Sequence, residues 1–353
     1  MFNFRPKYSS ILGIDISPTS VKALEISSRN GRFCIQGYGA EPLPPKAIDA
    51  NTIKDISAVA NCIKELLANA RLSSKLAVLA VPDSTVISKV IQVSEGLNEV
   101  EIEELVFIEA GNYISYPLDE IHLDFEVLGS SSKNRGLVDV LVVASKAENV
   151  NSRVDALTRA GLSVKIVDVE SYAIERATRL LVNELPTYNL DKFVAVIDIG
   201  DVFTRLFILH GKKVIFMRED AFGDKQLIDA IAQHYQLAPD EAFQMKERNI
   251  MPTDYEEALL QPFMEMVLLE VKRTLQFFFS TSQHGSVEHI LLAGPVAKLS
   301  KLQHLVEERT GISTHIANPF HRMEIAKNLD QSALLTVAPS FMVACGLALR
   351  QEG

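Results

Sequence analysis

The sequence predicts an α/β protein of two lobes, built from a duplicated domain, with a small α+β module inserted into the first lobe. Three observations predict it. A strand–Asp–turn–strand pattern occurs at residues 11–26 (ILGIDISPTSVKALEI) and again at 194–209 (VAVIDIGDVFTRLFIL). Strand-like apolar runs alternate with segments of helical periodicity, as expected for sheets covered by helices. Between the two copies lies a block, 83–167, with a strand and helix pattern of its own.

The duplication rests on matched charges. Asp15 aligns with Asp198 and Lys22 with Arg205, at the same offset. Two unrelated hairpins would not be expected to share both an acid and a base, so a repeated domain is the better reading. An aspartate at the end of a buried strand is costly unless something compensates its charge. A turn of small residues such as Ser17-Pro18-Thr19-Ser20 exposes backbone N–H groups that can cradle oxyanions. An aspartate beside it can hold a hydrated magnesium ion, which favours carboxylate and water. Two such turns facing each other would clamp a nucleotide triphosphate, with Asp15 and Asp198 reaching the metal through its water.

Bulk composition narrows the function classes. The 353 residues carry 35 Lys+Arg against 45 Asp+Glu, a net charge of −10, which argues against a general nucleic-acid binder. The three cysteines, Cys34, Cys62 and Cys345, lie far apart with no metal spacing, as expected in a reducing cytosol. MFNFRPKYSS at the start has no apolar core of a signal peptide. No apolar run approaches the roughly 20 residues of a transmembrane helix. A cytoplasmic protein is expected, reaching any membrane through a partner.

Element by element, helical spacing predicts a helix over 53–71, followed by a strand over 76–81 stopped by Pro82. In the inserted block, strands are expected at 86–93, 122–128 and 138–145. A capping box at Asn98–Glu101 opens a helix running to Ile114. A helix over 147–160 stops at Gly161, and a strand at 164–169 closes the block. The expected domains are 1–82 with 168–192, the insertion 83–167, and a second lobe 193–353. In that lobe, helices are expected at 225–235, 240–248, 261–282, 296–310 and 339–350, with strands at 213–217, 289–293 and 314–317.

These residues resemble a known family. IDIS-x-x-S-V-K, V-I-D-I-G, F-G-x-K-Q-L, ILLAG and the ending ANPF…APSFMVACGLALR are similar, in order and spacing, to the PilM family of type IV pilus assembly. The resemblance covers nearly the whole chain. It implies the actin-like fold shared with FtsA: two lobes of ribonuclease-H-like sheets, an SHS2-type insertion in the first, and nucleotide in the cleft. It also implies ATP with magnesium as cofactors. The implied partner is the N-terminal cytoplasmic tail of PilN, docked in a groove beside the insertion, with pilus motor or platform proteins as further partners. Carried over by position, Asp15, Ser17, Thr19, Ser20 and Lys22 match the first phosphate turn, and Asp198 and Gly200 the second. Gly294 matches the adenosine-side loop, Gly223 and Lys225 the segment near the ribose, and Glu241 and Lys246 the helix that flanks the base. Glu170 lies where some relatives orient the attacking water; a helix-start acid favoured by the macrodipole accounts for it equally well.

Several positions depart from that family pattern. Asp224 stands where glycine is usual, Pro295 replaces the second glycine of A-G-G, Ser300-Lys301 replaces Pro-Gly, and Asp201 replaces a small residue. A carboxylate at Asp224 facing inward would repel phosphate, and a proline at 295 removes an N–H from a tight loop. The expected function is a nucleotide-binding cytoplasmic scaffold with weak or no ATPase activity, peripheral to the inner membrane through its partners. The alternatives are an actin-like kinase, which would need an acceptor site of its own, and an FtsA-like self-associating filament, which would be expected to carry an amphipathic C-terminal tail.

Overall fold

The computed structural model describes residues 10–350 apart from 30, 115, 132–133, 187 and 282–284. The N-terminal segment read above for a signal peptide lies mostly outside these, as do the last three residues and the final position of the helix expected over 261–282.

The chain opens on a three-stranded meander, β1 (Ser10–Ile16), β2 (Ser20–Arg29) and β3 (Arg32–Pro42). A minimal ribbon, β4 (Ile48–Asp49) with β5 (Thr52–Ile53), leads to α1 (Ile56–Asn69). Asp55 starts α1 by accepting the Ala58 N–H at 2.9 Å. Val59, Ile63, Leu66 and Leu67 recur on the buried face of α1. Each buried side chain of this size contributes roughly 1.5–3 kcal/mol. Then β6 (Leu76–Val81) returns beside β1, in parallel.

The inserted module follows: β7 (Val86–Ser94), α2 (Glu99–Ala110), β8 (Ile121–Ser130) and β9 (Leu137–Lys146), in an antiparallel sheet of order β7-β9-β8. The predicted capping box is present: Asn98 accepts from the N–H groups of Val100 and Glu101, and Glu101 caps the Asn98 N–H in return. The α2 helix stops at Ala110 rather than Ile114, giving way to a turn at Gly111. Next come α3 (Ala147–Arg159), β10 (Ser163–Val169) and α4 (Glu170–Leu181). Read as the end of the insertion, β10 instead pairs in parallel with β6 and forms the edge of the first sheet. The insertion's own strands therefore end with β9.

The second sheet repeats the first. Its meander is β11 (Phe193–Ile199), β12 (Thr204–His210) and β13 (Lys213–Asp220). Helices α5 (Asp224–Tyr235), α6 (Pro239–Glu247) and α7 (Gln261–Thr281) follow, and then β14 (Val287–Ala293), α8 (Leu302–Thr310) and β15 (Ser313–Ile316). The order β3-β2-β1-β6-β10 in one sheet corresponds to β13-β12-β11-β14-β15 in the other, each with two antiparallel pairings followed by two parallel ones. The expected helix 296–310 is split: Pro295–Lys298 forms a 3-10 turn, and Lys301, with φ of 71°, precedes α8.

The end of the chain returns to the first lobe rather than staying in the second. β16 (Glu324–Ile325) adds to β3, and α9 (Gln331–Val337) and α10 (Met342–Ala348) follow. The helix expected over 339–350 is the shorter α10, which starts only after a 3-10 corner at Ala338–Phe341; α9 before it is not among the expected helices, and Pro339 cannot donate the N–H that would continue α9. Gln331–Ala348 has the length and mean hydropathy, 1.5, of a membrane span, yet 61% of it is buried in the protein. α10 and α4 lie between the two sheets, in one apolar cluster with Val78, Val196, Phe207 and Leu291. That seam brings both repeat turns to one cleft.

Candidate functional site

Each repeat turn is held by its own backbone. The Ser17 N–H donates to the Ser20 carbonyl at 2.9 Å, and the Ser17 hydroxyl donates to the same oxygen at 2.9 Å. In the second copy the Gly200 N–H donates to the Phe203 carbonyl at 2.9 Å. The turns close because small residues allow it, and they leave Asp15 and Asp198 at matching strand ends. Asp15 lies opposite Lys22 in the β1–β2 register, and Asp198 lies opposite Arg205 in β11–β12.

The two turns meet across the cleft, which is lined by Asp15, Lys22, Asp198, Asp201, Arg205 and Gly294 among others. The bases behave differently. Lys22 Nζ is 3.6 Å from Asp15, and the field of Asp15, Asp201 and Asp198 overcomes the cost of its burial and raises its pKa. Arg205 turns away from Asp198, donating to Glu219 at 2.7 Å and lying 3.6 Å from Glu170 of the other lobe. Burial raises the pKa of Asp198 against the pull of Arg205 and Lys22. No protein hydrogen bond reaches the Asp198 carboxylate among the described residues. A strand-end acid with open lone pairs suits a hydrated cation. No group of three or more His, Cys, Asp or Glu converges as a metal site among the described residues.

The glycines shape the walls. Gly294 has φ of 84°, and a Cβ there would come within 2.3 Å of the Ile199 carbonyl and 2.7 Å of the Asp198 carboxylate. Only glycine satisfies both demands. Gly223 is extended, but a Cβ would strike the Gly200 carbonyl at 2.4 Å. The chain after it is tied to the second turn, with the Asp224 N–H on the Gly200 carbonyl at 2.9 Å and the Lys225 N–H on the Asp201 carbonyl at 2.8 Å. Pro295 occupies the first position of its 3-10 turn, where its missing N–H has no role.

Other expected site residues have found different partners. Asp224 is buried in an ion pair with Lys246 at 2.7 Å, so its charge does not face the cleft unopposed, and Lys246 is engaged as well. Burial raises the pKa of Asp224 despite that lysine. Glu241 caps the Ala238 N–H at 3.0 Å, and Lys225 makes an exposed pair with Asp229. Thr19 donates its hydroxyl across the cleft to Asp201. Ser20 stays within its own turn, its hydroxyl 3.1 Å from that of Ser17.

Glu170 begins α4, buried 3.6 Å from Arg205. Burial drives its pKa up to about 7 against the attraction of Arg205, and Asp15 adds to the rise. Its Oε2 has no hydrogen-bond partner among the described residues. Around it runs a network not visible in the sequence. Asn51 donates to Glu219 at 3.3 Å and to Ser84 at 2.6 Å, and the buried Arg153 donates to the Asn51 carbonyl at 2.8 Å. The antiparallel register of β12 with β13 places Glu219 opposite Arg205.

The family of type IV pilus assembly protein PilM matches residues 13–352. A chain of a PilM–PilN type IV pilus biogenesis complex superposes with a TM-score of 0.77 and 30% identity, over 98% of each chain. The ethanolamine utilization protein EutJ from Carboxydothermus hydrogenoformans has a TM-score of 0.57 and 13% identity, over 99% of this chain and 91% of that one. MreB5 of Spiroplasma citri bound to ADP has a TM-score of 0.50 and 12% identity, over 97% and 95%. The last two likenesses show the actin-like fold alone. By the match over almost its whole length, this chain belongs to the PilM family of type IV pilus assembly proteins.

Proposed function

We propose that this protein is a nucleotide-binding cytoplasmic scaffold of type IV pilus assembly, which docks the N-terminal tail of PilN and links the motor to the inner-membrane alignment complex. The observation that carries the reading is end-to-end similarity to a PilM that forms a complex with PilN. The chain would reach the inner membrane through that tail. Both β7 and β8 are edge strands of the three-stranded sheet, so each offers unpaired backbone for an extended peptide. Val90 on β7 and Val127 and Leu128 on β8 are exposed apolar side chains on those strands.

The cleft supports ATP with magnesium. Asp198 and Asp15 would hold the metal through its water, and the metal would offset phosphate charge. Ser17, Thr19, Ser20, Lys22 and Gly200 would face the phosphates, with Gly294 and Gly223 giving the nucleotide close access to the backbone. Lys225, Glu241 and Lys246 would then shape the neighbouring helices while holding their own partners. Glu170 is the group to position water, but it is buried beside Arg205, and weak turnover is expected.

Titration calorimetry on the intact chain tests the docking half. A synthetic PilN tail peptide should bind with micromolar or tighter affinity, and replacing residues 86–146 by a short linker should remove that binding. The excision spares β10, so circular dichroism should report an intact first sheet. Failure of the intact chain to bind the peptide would overturn the docking reading.

A further inference from the structure

The geometry points to Asp201 as a built-in stand-in for phosphate, a carboxylate that holds the anion-binding groups of the first turn and so determines which nucleotide the cleft accepts. The inference rests on the nucleotide reading above. In the first turn, the Thr19 hydroxyl and the Lys22 ammonium are suited to an incoming oxyanion. The Thr19 hydroxyl donates to Asp201 from the opposite lobe. Lys22 lies in the combined field of Asp15, Asp201 and Asp198. Asp201 is not a floppy side chain on a free loop: its carbonyl accepts the Lys225 N–H at 2.8 Å, and its neighbour Gly200 accepts the Asp224 N–H at 2.9 Å.

A phosphate that seeks Thr19 must displace this carboxylate or lie beside it. Either course sets like charges close together in a partly buried site, where screening is weak. The cost grows with ligand charge: none for adenosine, more for ADP, most for ATP, with magnesium lowering it. Asp201 therefore acts as negative selection against highly charged ligands, and its bond to Thr19 holds the two turns together.

The test titrates adenosine, ADP and ATP, with and without magnesium, into the wild type and into Asp201→Asn, Asp201→Ala and Thr19→Val. Both Asp201 variants should tighten ATP by about tenfold, on the scale of one removed charge repulsion across a half-buried site. ADP should gain less and adenosine nothing. Thr19→Val keeps the carboxylate and should leave the order of the three ligands unchanged. A second readout needs no ligand: pulsed electron paramagnetic resonance between spin labels on the two lobes should show a wider distance distribution in Asp201→Ala and Thr19→Val. Unchanged or weakened ATP binding in folded Asp201 variants would overturn the inference, since a carboxylate that helps hold the cation behaves that way. An unchanged lobe distance would overturn the tie between the turns. Absence of nucleotide binding in every form would instead defeat the nucleotide reading itself, and the selectivity with it.

Discussion

The two repeat hairpins share a register and differ in one base, and that difference divides their work. In the first, Lys22 remains 3.6 Å from Asp15, within the turn it belongs to. In the second, Arg205 lies opposite Asp198 yet extends to Glu219 and Glu170 instead. A guanidinium presents several donors in a rigid fork, so it can serve two carboxylates at once; an ammonium is a point charge. The arginine copy therefore ties the lobes together and leaves its strand-end aspartate without an ion pair among the described residues. The lysine copy neutralises its aspartate in place. Duplication supplied two equivalent acids, and the neighbouring base decided which one stayed open.

Removing the cross-lobe base should have the largest effect. Arg205→Ala strands the buried Glu170 and removes the cation from the partly buried Glu219, and should cost about 3–5 kcal/mol of stability. Urea unfolding measures this, and a loss as small as that of Lys22→Ala would show that the two bases are equivalent after all.

A smaller effect separates the two acids. Asp198→Ala should weaken magnesium-dependent ATP binding by about 2–3 kcal/mol, the scale of a lost charged contact, with little change in stability. Asp15→Ala should weaken it less, because Lys22 already offsets that charge. Equal losses by calorimetry would return the pair to a symmetric clamp.

The smallest effect is electrostatic. Glu170 has a pKa of about 7 in the folded protein against 4.5 ordinarily, so the folded state holds the proton longer than the unfolded chain. Its contribution favours folding at low pH and is lost as pH rises from 4.5 through about 7. Glu170→Gln should therefore gain on the wild type across that window, by about 1–2 kcal/mol after allowing for the Arg205 contact. Parallel melting curves at pH 5 and pH 8 would show it, and a constant difference would place Glu170 in a solvated or fully paired state.

Pairings local in sequence were legible; distant ones were not. The capping box at Asn98 and the strand–turn–strand repeats depend on neighbours a few residues apart, and both are present. The ion pair of Asp224 with Lys246 joins two helices, and only their packing brings the charges to 2.7 Å. The carboxylate that seemed to threaten the phosphates is therefore a helix–helix contact. It follows that changing Asp224 to glycine would leave Lys246 only its 3.8 Å contact with Glu247 rather than simply open the site. The placement of β10 has the same origin: its apolar pattern marks a strand, but parallel pairing with β6 is a choice of partner made across the fold.

Sequence alone determined the duplicated α/β plan, the matched acids Asp15 and Asp198, and the family to which the pattern belongs. These follow from periodicity and from residues close along the chain, where the backbone itself sets the geometry. Tertiary structure decided which charges pair, that Arg205 spans the lobes, that Asp201 meets Thr19, and that the C-terminal helices return to the first lobe. Those outcomes depend on the packing of α4 and α10 between the sheets. A buried charge takes the partner that packing brings within reach, whatever its distance along the chain.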